Sequence, residues 1–254
     1  MDKQLKAYAR DLARSYRASR ELKEQYRLLK ENAQLREDIE QITRHDLKSP
    51  LSVVLLYSQM LAVDGNLTRQ QRSALRMIEK AGHRMLGMIN RSLDLYKMEA
   101  GTYRLKKAAV NLVPLAFDCI EQNRDIITAK NLTTAVSLNG RPAPPSGAFV
   151  LPGESLLFFT MLGNLLNNAL EASPNGETVS VTFSNDHGST IRIHNHGAVP
   201  EEIRDRFFEK FVTAGKMTGT GLGTYSARMI AKTLGGRMTL EPSAENETTV
   251  QIVF

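Results

Sequence analysis

Four short runs in this chain combine residue types and spacings that suit phosphate-bearing ligands or proton transfer. In NLLNNALEA, residues 164–172, Asn164 and Asn168 stand four apart and share one helix face, with Leu162, Leu165, Leu166 and Ala169 supplying the apolar side. Amides on an otherwise apolar helix cost burial energy unless something polar meets them, and hard oxygen donors suit Mg2+ carrying phosphates and water. N-capping or plain exposure accounts for the same asparagines equally well. In GTGLG, residues 219–223, three glycines open an apolar helix, so backbone N–H groups there can meet phosphate oxygens with little side-chain obstruction. No GK[ST] follows and no strand immediately precedes, so neither the P-loop nor the dinucleotide fingerprint applies, and the run taken alone is weak evidence that fits an ordinary turn better. In IHNHGAVPEEI, residues 193–203, Asn195 follows a strand and Gly197 stands two places on. A small amide there can pair with a base edge while the glycine lets backbone approach the ring. The flanking His194 and His196 have no Cys or carboxylate beside them in the sequence and make a poor zinc set. Finally, ITRHDLKSP, residues 42–50, sets His45 beside Asp46 in a helical run that Pro50 interrupts.

These residues need elements to position them. From Met1 to about Ala62 almost nothing breaks a helix except Pro50, and Leu22, Tyr26, Leu29 and Ala33 follow alternating steps of four and three. This is heptad spacing with a phase shift further on, and it predicts a signalling-type coiled coil. A polar break at Asp64, Gly65 and Asn66 precedes a second amphipathic helix from about Thr68 to Ala100, which Gly101 ends. One such hairpin cannot bury both apolar faces, and pairing into a four-helix bundle solves this. Beyond Tyr103, strands are expected near Arg104–Val110, Leu132–Leu138, Thr178–Ser184, Thr190–His194, Arg237–Glu241 and Thr248–Val253. Helices are expected near Leu112–Ala129, Glu154–Ala172 and Leu222–Leu234, and RPAPPSG, residues 141–147, is too rich in proline for a regular element. Phe207, Phe208 and Phe211 read as core or hinge anchors, and Thr213 to Thr220 as a mobile lid over a site. A sheet with helices on one face follows from this order.

The 254 residues suit two domains, and a composition of 42% hydrophobic and 24% charged residues is that of ordinary globular protein. The net charge of +6 raises nucleic acid as a partner, but the basic residues from Lys3 to Lys48 are interleaved with acidic ones, the pattern of a solvated helix surface. No nucleic-acid partner is therefore expected. The single Cys119 cannot form an internal disulfide, and no N-terminal apolar segment resembles a signal peptide or span. The reading is a cytoplasmic chain with no membrane segment of its own.

Taken together, HDLKSPL, NLLNNALEA, NHGAVP, FFEKF and GTGLG occur in the order and rough spacing of the H, N, G1, F and G2 boxes of the sensor histidine kinases of two-component signalling. The resemblance covers about residues 38–254. It implies an α+β chain: an N-terminal coiled coil (1–37), a helical dimerisation and phosphotransfer hairpin (38–102) forming a dimeric four-helix bundle, and an α/β sandwich ATP-binding domain of the Bergerat type (103–254). It implies that His45 is the phosphoacceptor, with Asp46 as general base, and that the phosphoryl group passes to an aspartate of a response regulator receiver domain. Imidazole, with an ordinary pKa of about 6.5, is mostly neutral and nucleophilic at cellular pH. By the same resemblance Asn164 and Asn168 coordinate Mg2+, Asn195 faces the adenine of ATP with Gly197 beside it, and Gly219, Gly221, Leu222 and Gly223 form the phosphate end. Related ATPases carry a glutamate where Asn164 stands, so its absence suits transfer over hydrolysis.

The pattern departs from the family at three places. The G1 box usually reads DxGxG, whereas Asn195, His196, Gly197 and Ala198 stand here in a version one residue shorter, which predicts weaker ATP binding because a neutral bond is roughly half as strong as a charge-assisted one. Ser49 occupies the place four after the histidine where Thr or Asn serves regulator dephosphorylation, and Glu171 stands where a basic residue is usual. The first departure favours a second reading, a dimeric nucleotide-binding scaffold without turnover. The intact His45, Asp46, Asn164, Asn168 and GTGLG favour the kinase.

Overall fold

The computed structural model describes residues 16, 19–28, 30–31, 47–63, 66–186, 188–213, 221–241 and 246–254. His45, Asp46, Gly219 and most of the expected coiled coil lie outside the described residues, although 19–28 are helical with Leu22 and Tyr26 exposed. Contacts divide the chain into two compact units, one up to Ser92 and one from Leu93.

The first unit contains α1, helical over residues 47–62, and most of α2, Arg69–Glu99. The start of α2 is a capping box: the Gln71 N–H donates to Thr68 Oγ1 at 3.2 Å while the Thr68 N–H donates to Gln71 Oε1 at 2.9 Å, which satisfies two donors the helix start would otherwise leave open. Leu51 and Leu55 of α1 are buried, and Gln59 donates across to Glu79 of α2 at 3.0 Å. Val53, Val54, Leu56, Tyr57, Met60 and Leu61 face solvent. α2 ends before Gly101, as expected, where the N–H groups of Thr102 and Tyr103 both reach the Lys97 carbonyl.

The second unit is a six-stranded sheet with helices packed against it. In chain order the strands are β1 Ala108–Asn111, β2 Thr133–Leu138, β3 Arg141–Pro142, β4 Val150–Gly153, β5 Thr178–Ser184, β6 Thr190–His196, β7 Arg237–Glu241 and β8 Glu247–Val253. The main sheet runs β3-β2-β5-β6-β8-β7, antiparallel except for β2 with β5, and β1 pairs with β4 in a separate two-stranded ribbon. The helices are α3 Leu112–Gln122, α4 Arg124–Ala129, α5 Ser155–Ala172, α6 Glu201–Arg204 and α7 Gly223–Thr233.

Alternation explains why one sheet face is covered. Val179, Val181 and Phe183 of β5, Ile191 and Ile193 of β6 and Ile252 of β8 are buried, while the residues between them are polar and half-exposed. Phe158, Met161, Leu162, Leu165 and Leu166 recur at helical spacing along α5 and fill the other half of this core. The far end of α5 is held by Lys130, whose ammonium donates to the carbonyls of Leu170, Glu171 and Ser173 at 3.1, 2.7 and 2.8 Å, a cation placed where the helix dipole favours one.

Four expectations need correction. The helix expected over 112–129 is two helices broken at Asn123, whose side chain donates back to the Cys119 carbonyl. The first strand is shorter than expected and starts at Ala108; it needs β4, a partner too short and proline-bearing to stand out in the sequence. RPAPPSG does contribute a two-residue edge strand, where proline's missing donor is tolerated. Phe207 is buried and Phe208 half-buried against it, but Phe211 is 73% exposed and has a left-handed backbone, φ 63°, so it is no core residue.

Candidate functional site

One face of α5, the end of β6, the turn that follows it and the start of α7 surround a cavity of about 590 Å3. Asn164 and Asn168 enter it from the half-buried flank of α5, on the side away from Leu165 and Leu166. Asn195 closes it from the sheet. In β6 the residues on either side of Asn195 point to the open sheet face, so period-two alternation turns this amide inward, where it is 3% exposed. Its Nδ2 donates to the His196 carbonyl at 3.0 Å, which leaves the amide oxygen for a ligand's donor. The rim next to it is fixed by backbone: the Gly197 N–H donates to the Asn246 carbonyl and the Thr248 hydroxyl donates to the Gly197 carbonyl at 2.6 Å.

Gly197 is required by space. Its φ is 128°, and a Cβ added there would lie 2.6 Å from the carbonyl oxygen of Ala172, the last residue of α5. Gly221 is constrained in the same way: at φ 64° a Cβ would meet the Phe211 backbone at 2.6 Å, and the Phe211 N–H donates to the Gly221 carbonyl at 2.9 Å. At Gly223 no described residue within 4 Å would oppose a side chain. Among the described residues no side chain caps the first turn of α7, so its N–H groups are open to an acceptor from the cavity, which Gly221, Gly223 and Thr224 line. Leu222 is the N-cap of that helix and is not among the lining residues.

Glu171 is the carboxylate of the lining; no lysine or arginine lines it among the described residues. The sequence left Glu171 unexplained, and it accepts from Asn167 at 2.8 Å on the rim. Thr213, read as the start of the lid, lines the cavity; Asn167, Ile203, Val212 and Thr248 also line it and were not anticipated. Thr248 had no sequence signal because it reaches Gly197 from another strand. Asn167 had one, since it directly precedes Asn168, but its side chain is exposed and lies toward the rim. On the opposite sheet face His196 is flanked by Glu177 and Glu247, so the histidines do have carboxylates beside them.

Outside the cavity, Glu99 at the end of α2 accepts from Lys210 at 2.7 Å. Burial and a bond to Glu99 push the Tyr225 phenol up to about 12. Burial pushes the Cys119 thiol to about 12 as well, and burial with Glu154 does the same to Tyr103.

Comparison with known proteins places the two units. Residues 35–101 match the family model of the His Kinase A (phospho-acceptor) domain, and residues 153–254 that of the Histidine kinase-, DNA gyrase B-, and HSP90-like ATPase. The chain is 26% identical over 217 residues to the histidine protein kinase DivJ of Caulobacter vibrioides, covering 82% of this chain and 35% of that protein. It is 24% identical to the sensor histidine kinase YcbM of Bacillus subtilis over 83% of this chain and 68% of that one. The chain therefore spans about a third of DivJ, and only 18% of the Escherichia coli sensor protein EvgS, which it also resembles. Among solved structures it shares the fold of full-length ShkA in complex with AMPPNP, with TM-score 0.66, 22% identity and coverage of 85% of this chain and 45% of that one. It also shares that of the Acinetobacter baumannii histidine kinase AdeS, with TM-score 0.54, 16% identity and coverage of 82% and 95%. With one family model over the hairpin and a second over most of the sheet unit, together more than half of its length, the chain belongs to the sensor histidine kinases of two-component signalling.

Proposed function

We propose that this chain binds Mg2+–ATP in the cavity beside α5, phosphorylates itself on His45 and passes the phosphoryl group to an aspartate of a response regulator receiver domain. The observation that carries the reading is the meeting of two amides from α5, the uncapped start of α7 and the buried Asn195 around one cavity. The donors fit the ligand. Asn164 and Asn168 offer neutral hard oxygens, which suit an Mg2+ that keeps waters and phosphates as its other ligands. The Asn195 oxygen suits the adenine amino group. Uncapped N–H groups of α7 suit phosphate oxygens. Since no lysine or arginine of the described lining meets the phosphate charge, nucleotide affinity depends strongly on the cation.

Bound Mg2+–ATP supplies the electrophilic phosphorus and neutralises charge on its oxygens. His45 would supply the nucleophilic ring nitrogen, with Asp46 as general base holding and then taking the proton of the other nitrogen; the bond to the β-phosphate oxygen breaks as the phosphorus–nitrogen bond forms, and ADP leaves. The solvent-facing apolar residues of α1 support a homodimer built as a four-helix bundle, and the domain limits 38–102 and 103–254 follow from that division of labour. No described helix is long and apolar enough to cross a membrane, and we place the chain in the cytoplasm. The neutral Asn195 favours the competing reading, a nucleotide-binding scaffold without turnover.

Incubation with γ-labelled ATP and Mg2+ separates the two. The kinase reading expects acid-labile, base-stable label that His45→Gln abolishes. Nucleotide binding without label would leave the scaffold.

A further inference from the structure

The open face of the sheet carries a second group of ligand-type side chains, back to back with Asn195. β6 presents His194 and His196 on this face, and β8, antiparallel to it, sets Thr249 opposite His194 and Glu247 opposite His196. One donor atom from each of His194, His196 and Glu247 falls within 4.8 Å of the others, and all three residues are half-buried. Donors around a tetrahedral zinc ion stand about 3.3 Å apart, as bond lengths of about 2.0–2.1 Å require, so side-chain rotation without strand movement closes the gap.

The surroundings already orient the rings. His194 Nδ1 is 2.9 Å from the Thr249 hydroxyl, which leaves Nε2 to coordinate. His196 Nδ1 faces Glu247 at 3.8 Å, while its Nε2 faces Glu177, the residue just before β5, at 3.7 Å. A ligating histidine commonly donates its second ring N–H to a carboxylate or hydroxyl, and here Glu177 and Thr249 stand where those partners belong. Two imidazoles and one carboxylate with a position left for water suit a borderline divalent ion such as Zn2+, whereas Mg2+ prefers an all-oxygen shell.

We propose that His194, His196 and Glu247 form a Zn2+-class site on the outer face of the sheet, distinct from the nucleotide cavity on the inner face. Its location matters because Glu247 directly follows Asn246, whose carbonyl holds Gly197 at the cavity rim. An ion joining His196 to Glu247 therefore clamps the two strands that carry that rim.

The test uses the full chain stripped of metal with chelator and free of nucleotide, titrated with Zn2+ by calorimetry and with Co2+ by visible absorption. One equivalent should bind with the intense bands of a low-coordinate Co2+ site. His194→Gln and His196→Gln should each weaken that binding at least tenfold, and Thr249→Val should weaken it less, with far-UV circular dichroism and melting temperature in chelator unchanged. Imidazole nitrogen spectra of the unaltered chain give a check independent of any variant: Zn2+ must shift His194 Nε2 and His196 Nδ1. Binding that both variants leave intact, or spectra in which these two nitrogens do not respond, would overturn the site.

Discussion

The two units solve the same problem in different ways. In the sheet unit every large apolar side chain of α5 from Phe158 to Leu166 except Phe159 is buried, and the sheet alternates so that its open face is polar. In the hairpin, Leu51 and Leu55 are buried but their neighbours Val53, Val54, Leu56 and Tyr57 are about half exposed. The sheet unit leaves only scattered apolar residues such as Leu156 and Phe211 exposed, whereas α1 leaves a run of them in solvent, the pattern of an association surface. The proposed function fits this contrast, because a nucleotide cavity needs fixed walls whereas a helix in a dimeric bundle needs a partner.

The comparison breaks first at the core. Phe158→Ala should destabilise the sheet unit by about 3–5 kcal/mol in denaturant unfolding, since it empties a fully buried site. Leu56→Ala, a similar loss of apolar atoms on the hairpin, should barely move the sheet unit's transition and should instead raise the dimer dissociation constant in sedimentation. An equal loss of stability at both sites would erase the distinction.

Gly197→Ala should come next, at about 1–3 kcal/mol, because its Cβ meets the Ala172 carbonyl and its backbone lies outside the range of L residues. Nucleotide affinity should fall with it, read by a fluorescent ATP analogue. Retained affinity would mean that the end of α5 is free to shift.

Asn195→Asp should be smaller. A charge-assisted bond to the adenine amino group should tighten ATP by about 1 kcal/mol, or roughly fivefold in Kd, measured by calorimetry. An unchanged or weaker Kd would sink the assignment of Asn195 to the base.

The smallest effect is absent at neutral pH. Cys119, Tyr103 and Tyr225 all belong to the sheet unit, and each has a folded pKa raised to about 12, from 9.0 for the thiol and 10.0 for the phenols. A raised folded value means that the contribution is fully present below the unfolded pKa and lost as pH rises through the folded one. Melting of the sheet unit should therefore be insensitive to these groups below about pH 9 and fall between there and about 12. In the native chain the buried Cys119 should also resist thiol reagents at pH 8 until that unit unfolds.

Much of this was legible in the sequence. Thr178–Ser184 and Arg237–Glu241 were read to the residue because alternation is strong there, and Asn164 and Asn168 sit on the flank that their spacing demanded. What escaped depended on partners distant in the chain. β4 forms only because β1 lies beside it, and Glu177 and Glu247 meet His196 only once three strands are in register. The exposure of Phe211 was not legible because nothing local reveals that its N–H turns to the Gly221 carbonyl.

β6 works as a code in parity. Odd positions from Ile191 to Asn195 face the core and the cavity, and even positions from Arg192 to His196 face outward. Deleting a single residue within the strand would exchange the two sets, putting histidine into the cavity and asparagine on the surface. The strand ends at His196, and the loop of residues 197–200 follows it. That loop falls where the chain has stopped counting in twos, so a change in its length would alter the rim without turning Asn195 away from it.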